Sequence, residues 1–298
     1  MADIDVFEKE TLLPSADLTR KAQTLLGFDE RYERIRDQLE LLLKADQLEA
    51  WNIKHHKGSL EVASLVADQY PLVVFHGDVG TGKTVMAECL ANRLVRESGT
   101  EDCVLYKLSN RVRGEGKVGM MGTLLSGAIE KVGASAGKKR RAVLLIDEGD
   151  SLAAARSNEH SHHEDKVAVN TLIQGIDKLR QYRGRVLAIL CTNRASVLDP
   201  AVQRRAAIVE EFRRPTEAQR RALFEMDLIG LKLTDGQLTK LVGQTGANNE
   251  MPNWTYSDIR ARLYPAAIAR AFPDRALTFD DLIVVASTMT PSPVVEDR

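Results

Sequence analysis

Gly77-Asp78-Val79-Gly80-Thr81-Gly82-Lys83-Thr84 separates the apolar run Pro71-Leu72-Val73-Val74-Phe75 from a stretch, 84–97, whose apolar positions recur at helical spacing. Strand, glycine-rich turn and helix in that order form the setting in which G-x-x-x-x-G-K-[ST] holds phosphate. Glycine lets the backbone close on the anion, and its N–H groups and the start of the helix face the charge. Lys83 then reaches the β and γ phosphates while the Thr84 hydroxyl ligates Mg²⁺. A chance glycine-rich turn is the competing reading, and the strand before the loop and the helix after it argue against it.

Short apolar runs alternate with helical segments on either side of this loop. CVLYKL is followed by 118–132, AVLLI by 164–181, and RVLAIL by a helical turn and then AAIVEEF. The alternation predicts an α/β fold in which a parallel sheet is flanked by helices. An amphipathic helix is expected over 29–46, and residues 1–25 are polar and weakly patterned. Past Pro215 the pattern changes. Thr216 with Gln219, Thr234 with Gln237, and Thr278 before an Asp-rich turn read as successive helix starts, with a further helix over 257–271. The expected division is an N-terminal segment 1–25, a sheet-bearing domain 26–214, an all-helical domain 215–288 and a disordered tail 289–298.

Val143-Leu144-Leu145-Ile146-Asp147-Glu148 is an apolar strand that ends in two acids, at the end where a parallel sheet presents its ligands. Asp147 there can hold the Mg²⁺ shell, and Glu148 can take a proton from the water that attacks the γ phosphate. A kinase would not need the second acid, so the pair points to hydrolysis. Asn193 closes the strand Arg185–Leu190 and could bond the γ phosphate or the water, although Asn after a strand is most often a turn residue. Arg204 and Arg205 precede the last strand. A solvated helix face is the plain reading, and a finger into a neighbouring subunit's nucleotide is the functional one, which would make the enzyme an oligomer.

Composition narrows the class without naming a function. The chain has 298 residues, 44% of them hydrophobic, and a formal net charge of -1, so no global basic field advertises nucleic acid. No apolar run approaches the ~20 residues of a membrane span, and the acidic start lacks a secretory pattern, which places the protein in the cytoplasm. Cys89, Cys103 and Cys191 lie far apart in apolar stretches and read as buried thiols.

In this order the motifs resemble those of AAA+ ATPases: GDVGTGKT as Walker A, VLLIDE as Walker B, TN as sensor 1, and an arginine-finger segment before a helical lid. IDEGDSLAAAR, KVAVNTLIQGIDKL, DPAVQRRAAIVEEFRRP and YSDIRARLYPAAIARA are similar to the pachytene-checkpoint branch, whose members remodel HORMA-domain proteins. The resemblance implies ATP and Mg²⁺ as cofactors, with nucleotide contacts from Gly77, Asp78, Val79, Gly80, Thr81, Gly82, Lys83, Thr84 and Val85. It implies metal ligation by Thr84 and Asp147, and catalytic roles for Glu148, Asn193 and Arg205, with Arg204 as a second finger. It further implies a homohexamer whose pore segment, with Arg111, Val112, Arg113 and Gly114, engages a HORMA protein and opens it. Bacterial relatives of this size belong to anti-phage systems with nucleotide second-messenger synthases, where opening the HORMA protein shuts signalling off.

The chain also departs from that branch. Only residues 1–25 precede the core, where eukaryotic members carry an adaptor-docking domain. The pore segment lacks an aromatic residue. For sensor 2 the lid offers Arg260 or Arg262, although Asp258-Ile259 resembles proteins without that arginine. The cluster His160, His162, His163 and Glu164 fits no metal spacing and reads as a loop. The run Gly137–Arg141 reads as a solvated loop, and His55 and His56 are expected near the adenine on position alone. A nucleic-acid motor or loader stays open as the alternative function.

Overall fold

The computed structural model describes residues 6–100, 102–109, 120–137, 140–149, 163–194, 198–248 and 251–294. Among these residues two compact units emerge: those up to His76 together with those from Thr84 to Glu211, and Gly77–Lys83 together with those from Phe212 to 294.

The first unit carries a six-stranded sheet in the order β1-β3-β4-β5-β2-β6, formed by Phe7–Leu13, Leu72–Gly77, Cys103–Leu108, Arg141–Ile146, Val186–Thr192 and Ala206–Phe212 in chain order. β2, β3, β4 and β5 run parallel wherever they pair with one another. β4 and β5 are buried at every position, which is why they read as unbroken apolar runs. The helices are α1 Ala16–Ala22, α2 Phe28–Leu43, α3 Leu48–His56, α4 Glu61–Ala67, α5 Lys83–Glu97, α6 Met120–Ser135, α7 His163–Leu179 and the single turn α8 Pro200–Gln203. Leu125, Ile129 and Val132 of α6 and Leu172, Ile173 and Ile176 of α7 fill the core beside Leu144 and Ile146. α2 buries Tyr32, Ile35 and Leu39, and Arg31 and Arg34 both pair with the buried Glu210 of β6.

The sheet is not wholly parallel, and the described residues of the expected segment 1–25 add a strand and a helix to the sheet-bearing unit. β1 pairs antiparallel with β3, Leu13 opposite Cys103 and Phe7 opposite Leu108. Its sequence, FEKETLL, hides a strand because only the two ends are buried while Glu8, Lys9 and Glu10 face solvent, as suits an edge. Phe7 is 3% exposed and its ring lies 4.9 Å from that of Tyr106. α1 continues the tie: the Asn92 side chain accepts from the Ser15 N–H at 2.6 Å and donates to the Ser15 carbonyl.

The second unit is helical: α9 Glu217–Asp227, α10 Asp235–Gln244, a π-helical segment Asp258–Leu263 that runs into α11 Tyr264–Ala269, and α12 Phe279–Thr288. Thr216, Thr234 and Thr278 each form a capping box, with Gln219, Gln237 and Asp281 respectively. The tail is ordered further than the sequence suggests. Ser292 donates to Asp258 through both its hydroxyl and its N–H, and the carbonyls of Ser292 and Pro293 accept from Arg214.

Candidate active site

In the helical unit, the glycine loop is shaped by contacts that only glycine permits. Gly77 has φ 134°, and a Cβ there would lie 2.0 Å from the Phe212 carbonyl oxygen. At Gly80, φ 75°, a Cβ would lie 2.7 Å from the Thr255 hydroxyl, and the Gly80 carbonyl accepts from the Ser257 N–H at 3.1 Å. Lys83 is buried, its ammonium donating to the carbonyls of Gly77 and Asp78 at 2.8 Å each. Val79 N–H donates to the Asp78 carboxylate, and Thr81 donates to the Asp78 carbonyl. Arg214 is a site residue that sequence reasoning missed. Its guanidinium bonds the Asp78 carboxylate and the carbonyls of Asn253, Ser292 and Pro293, so one side chain ties the loop to two stretches of the helical unit. Its only sequence signal is its place immediately before Pro215.

In the sheet-bearing unit, the strand ends gather the next group. Parallel register aligns Ile146 with Leu190 and His76 with Thr192, so Asp147 and Asn193 both emerge from the same end of the sheet. The Thr84 hydroxyl, in the first turn of α5, donates to Asp147 Oδ1 at 2.8 Å. The same oxygen accepts from the Glu148 N–H at 2.9 Å, and Lys107 Nζ stands 4.0 Å from Oδ2. Glu148 is exposed and holds φ 48°, a left-handed conformation that a non-glycine residue rarely adopts. The turn is pinned where Gly149 N–H donates to the Cys191 carbonyl at 2.7 Å. Thr84 and Asp147 thus present two oxygens on adjacent elements, a donor set that suits a hard divalent cation.

The arginine pair lies elsewhere. Arg205 bonds Asp177 of α7 and lies over the ring of Tyr70, just ahead of β2, whereas the glycine loop follows that strand's other end. Arg205 is thus anchored beside the leading end of β2, whose six residues span about 20 Å. Arg204 is exposed.

Other expected site residues fall differently. Arg260 is committed within the helical unit: Nε and Nη2 donate to the two oxygens of Asp227 at 2.7 Å each, which raises its pKa further. Arg262 pairs with the buried Asp258 at 2.8 Å. His55 and His56 sit at the exposed end of α3 against Trp51, with ring centroids 6.0 and 4.9 Å away. In the basic run, Arg140 pairs with Asp102 and Arg141 with Asp46. The pore residues Arg111, Val112, Arg113 and Gly114, and the side chains of the His160–Glu164 cluster, lie outside the described residues. Among the described residues no metal-binding cluster of His, Cys, Asp and Glu occurs, and no helix is long and apolar enough to cross a membrane. All three cysteines are buried and none is in a disulfide, and burial pushes the thiols of Cys89 and Cys103 up to about 11 and about 12.

A P-loop strand–turn–helix, an acidic pair at the end of a parallel strand of the same sheet and a helical unit after the sheet together define a nucleotide-binding ATPase, and the family model of the ATPase family associated with various cellular activities (AAA) matches residues 73–214. The chain belongs to this AAA family, and its activity is ATP hydrolysis. It is 61% identical over 297 residues, covering 100% of both chains, to CD-NTase-associated protein 6 of Escherichia coli (strain KTE188). Among solved structures it is similar to a chain of the E. coli MS115-1 HORMA:CdnC:Trip13 complex, at 37% identity over 97% of each chain with a TM-score of 0.85. Rhizobiales Trip13 matches at 32% identity over 96% of this chain and 99% of that one, with a TM-score of 0.69.

Proposed function

We propose that the chain hydrolyses ATP, with Mg²⁺ bound, to open a HORMA-domain protein, and that by doing so as a ring of six copies it switches off a CD-NTase signalling response to phage. The observation that carries the protein substrate is end-to-end likeness to a chain of a HORMA:CdnC:Trip13 complex, at a TM-score of 0.85. Likeness confined to the ATPase core would leave the substrate open; this one extends through the helical unit.

Each residue has a task that follows from its placement. The N–H groups of 77–83 wrap the phosphates, and the closeness that Gly77 and Gly80 allow is what the wrap needs. Lys83 exchanges its two carbonyl partners for phosphate oxygens. Thr84 and Asp147 hold the cation, which neutralises charge on the phosphate oxygens when bound. Glu148, at the exposed turn beyond Asp147, accepts the proton of the attacking water, and Asn193 orients that water from the neighbouring strand end. The arginine pair completes the site of an adjoining copy, since Arg205 is anchored beside the leading end of β2 and the glycine loop follows that strand's other end. We assign Arg260 to cohesion of the helical unit through Asp227 and leave it out of the nucleotide machinery.

Turnover measured with and without a purified HORMA-domain protein, and separately with single- and double-stranded DNA, tests the proposal. Acceleration by the HORMA protein and indifference to DNA are expected. Acceleration by DNA alone overturns the reading and favours a nucleic-acid motor.

A further inference from the structure

Arg204 and Arg205 are neighbours in sequence, yet the fold treats their side chains in opposite ways. Each nitrogen of the Arg205 guanidinium is already engaged. Nε and Nη2 grip the two oxygens of Asp177 at 2.6 and 3.0 Å, and Nη1 donates to the Ala201 carbonyl at 2.9 Å. Its guanidinium lies 5.1 Å from the centroid of Tyr70, a ring that Arg180 also covers at 4.7 Å. Arg204 is exposed, and its side chain has no hydrogen bond or ion pair among the described residues.

The backbone beneath both is fixed. Asp199 caps the turn by accepting from Ala201 N–H at 2.8 Å, Pro200 sets the first helical position, and Val202 is fully buried. Arg204 therefore rises from a base held on one side by Val202 and on the other by the clamped Arg205. To enter a neighbour's nucleotide site, Arg205 would have to abandon a two-pronged carboxylate pair, a carbonyl and an aromatic face. Arg204 would give up no pairing with a described residue.

We propose that Arg204 is the guanidinium that reaches the adjoining copy's γ phosphate, and that Arg205, gripped by Asp177 and stacked on Tyr70, is the positioning residue that aims it. The assignment rests on the reading that the pair acts in trans, and it divides the pair into one catalytic and one positioning member. Arg204 stabilises charge on the transferring phosphoryl group. Asp177 and Tyr70 touch no nucleotide and act through the backbone that carries Arg204.

Steady-state turnover of the assembled full chain tests it, with assembly checked by mass. R204A should lower kcat about 10³-fold, within the range removed with such a finger, and leave KM for ATP within about threefold. D177N, and R205K, which keeps the charge but not the fork, should each lower kcat about tenfold without moving KM. The double variant R204A/D177N should be no slower than R204A, because Asp177 acts only through the finger. R204A subunits mixed with E148Q subunits should regain turnover. An R204A enzyme within about threefold of wild type, beside an R205A enzyme that loses turnover and regains it on mixing, overturns the assignment to Arg204 and leaves the trans reading standing. If neither arginine variant recovers on mixing, although mixed assemblies form, the trans reading itself falls. Multiplying losses in R204A/D177N would make Asp177 merely structural and overturn its positioning role.

Discussion

Glu148 holds φ 48°, a conformation that costs a non-glycine residue of order 1–3 kcal/mol and persists only where the surroundings impose it. Here the Gly149 bond to Cys191 and the Glu148 N–H bond to Asp147 impose it, on a residue that stays exposed. Glu148→Gln is expected to slow phosphate release ~10²–10⁴-fold, with binding of a fluorescent ATP analogue retained. Turnover near wild type would remove Glu148 from the role of base. Gly77→Ala should destabilise the chain by about 1–3 kcal/mol or more in urea melts, because the added methyl meets the Phe212 carbonyl backbone, which cannot move aside as a side chain would. Residues such as Lys83, Asp147 and Glu148 are legible in sequence because phosphate chemistry fixes both their type and their order. Arg214 is not, because its partners are carbonyls that come together only in the fold. The two arginines are equally opaque, since adjacency conceals which one the tertiary contacts immobilise.

At the scale of elements, the strands β2, β4 and β5 are plain in the sequence because burial on both faces demands apolar runs. β1 is hidden because an edge strand needs to bury little. Phe7→Ala is expected to cost ~3–5 kcal/mol, measured by denaturant unfolding, a loss that a solvated leader would not show. The three capping boxes are also visible beforehand, as their signature is local, and Thr216→Ala should cost about 1 kcal/mol. The π-helical segment is not. Pro265 follows it in α11 and has no N–H to offer the preceding turn, and Asp258, at its start, is tied to Thr255. Those two constraints act at opposite ends of six residues, and neither alone predicts the wider turn.

Across the whole molecule, the near-zero net charge resolves into local pairs, among them Arg205 with Asp177, Arg260 with Asp227 and Arg275 with Asp281. Two carboxylates in the helical unit sit below their usual range. Burial pushes Asp258 up, but bonds from Ser292, Thr255 and Arg262 outweigh it and hold the pKa down. Asp281 is held well below by Arg275 first, then Thr278. A depressed carboxylate contributes stability that is complete above the unfolded pKa of about 3.9 and is lost as pH falls through the folded value. The melting temperature should therefore drop as pH is taken below about 4, and D258N should flatten that dependence. An unchanged slope would show that the Asp258 network adds nothing to folding. The antiparallel pairing of β1 also decides how the chain can safely be shortened. It occupies the outer row of N–H and C=O groups of β3, whose sequence CVLYKL is the kind that recruits other strands. A chain trimmed past Leu13 to tidy its leading end would present that row bare, and light scattering should report its self-association at concentrations where the intact chain stays dispersed.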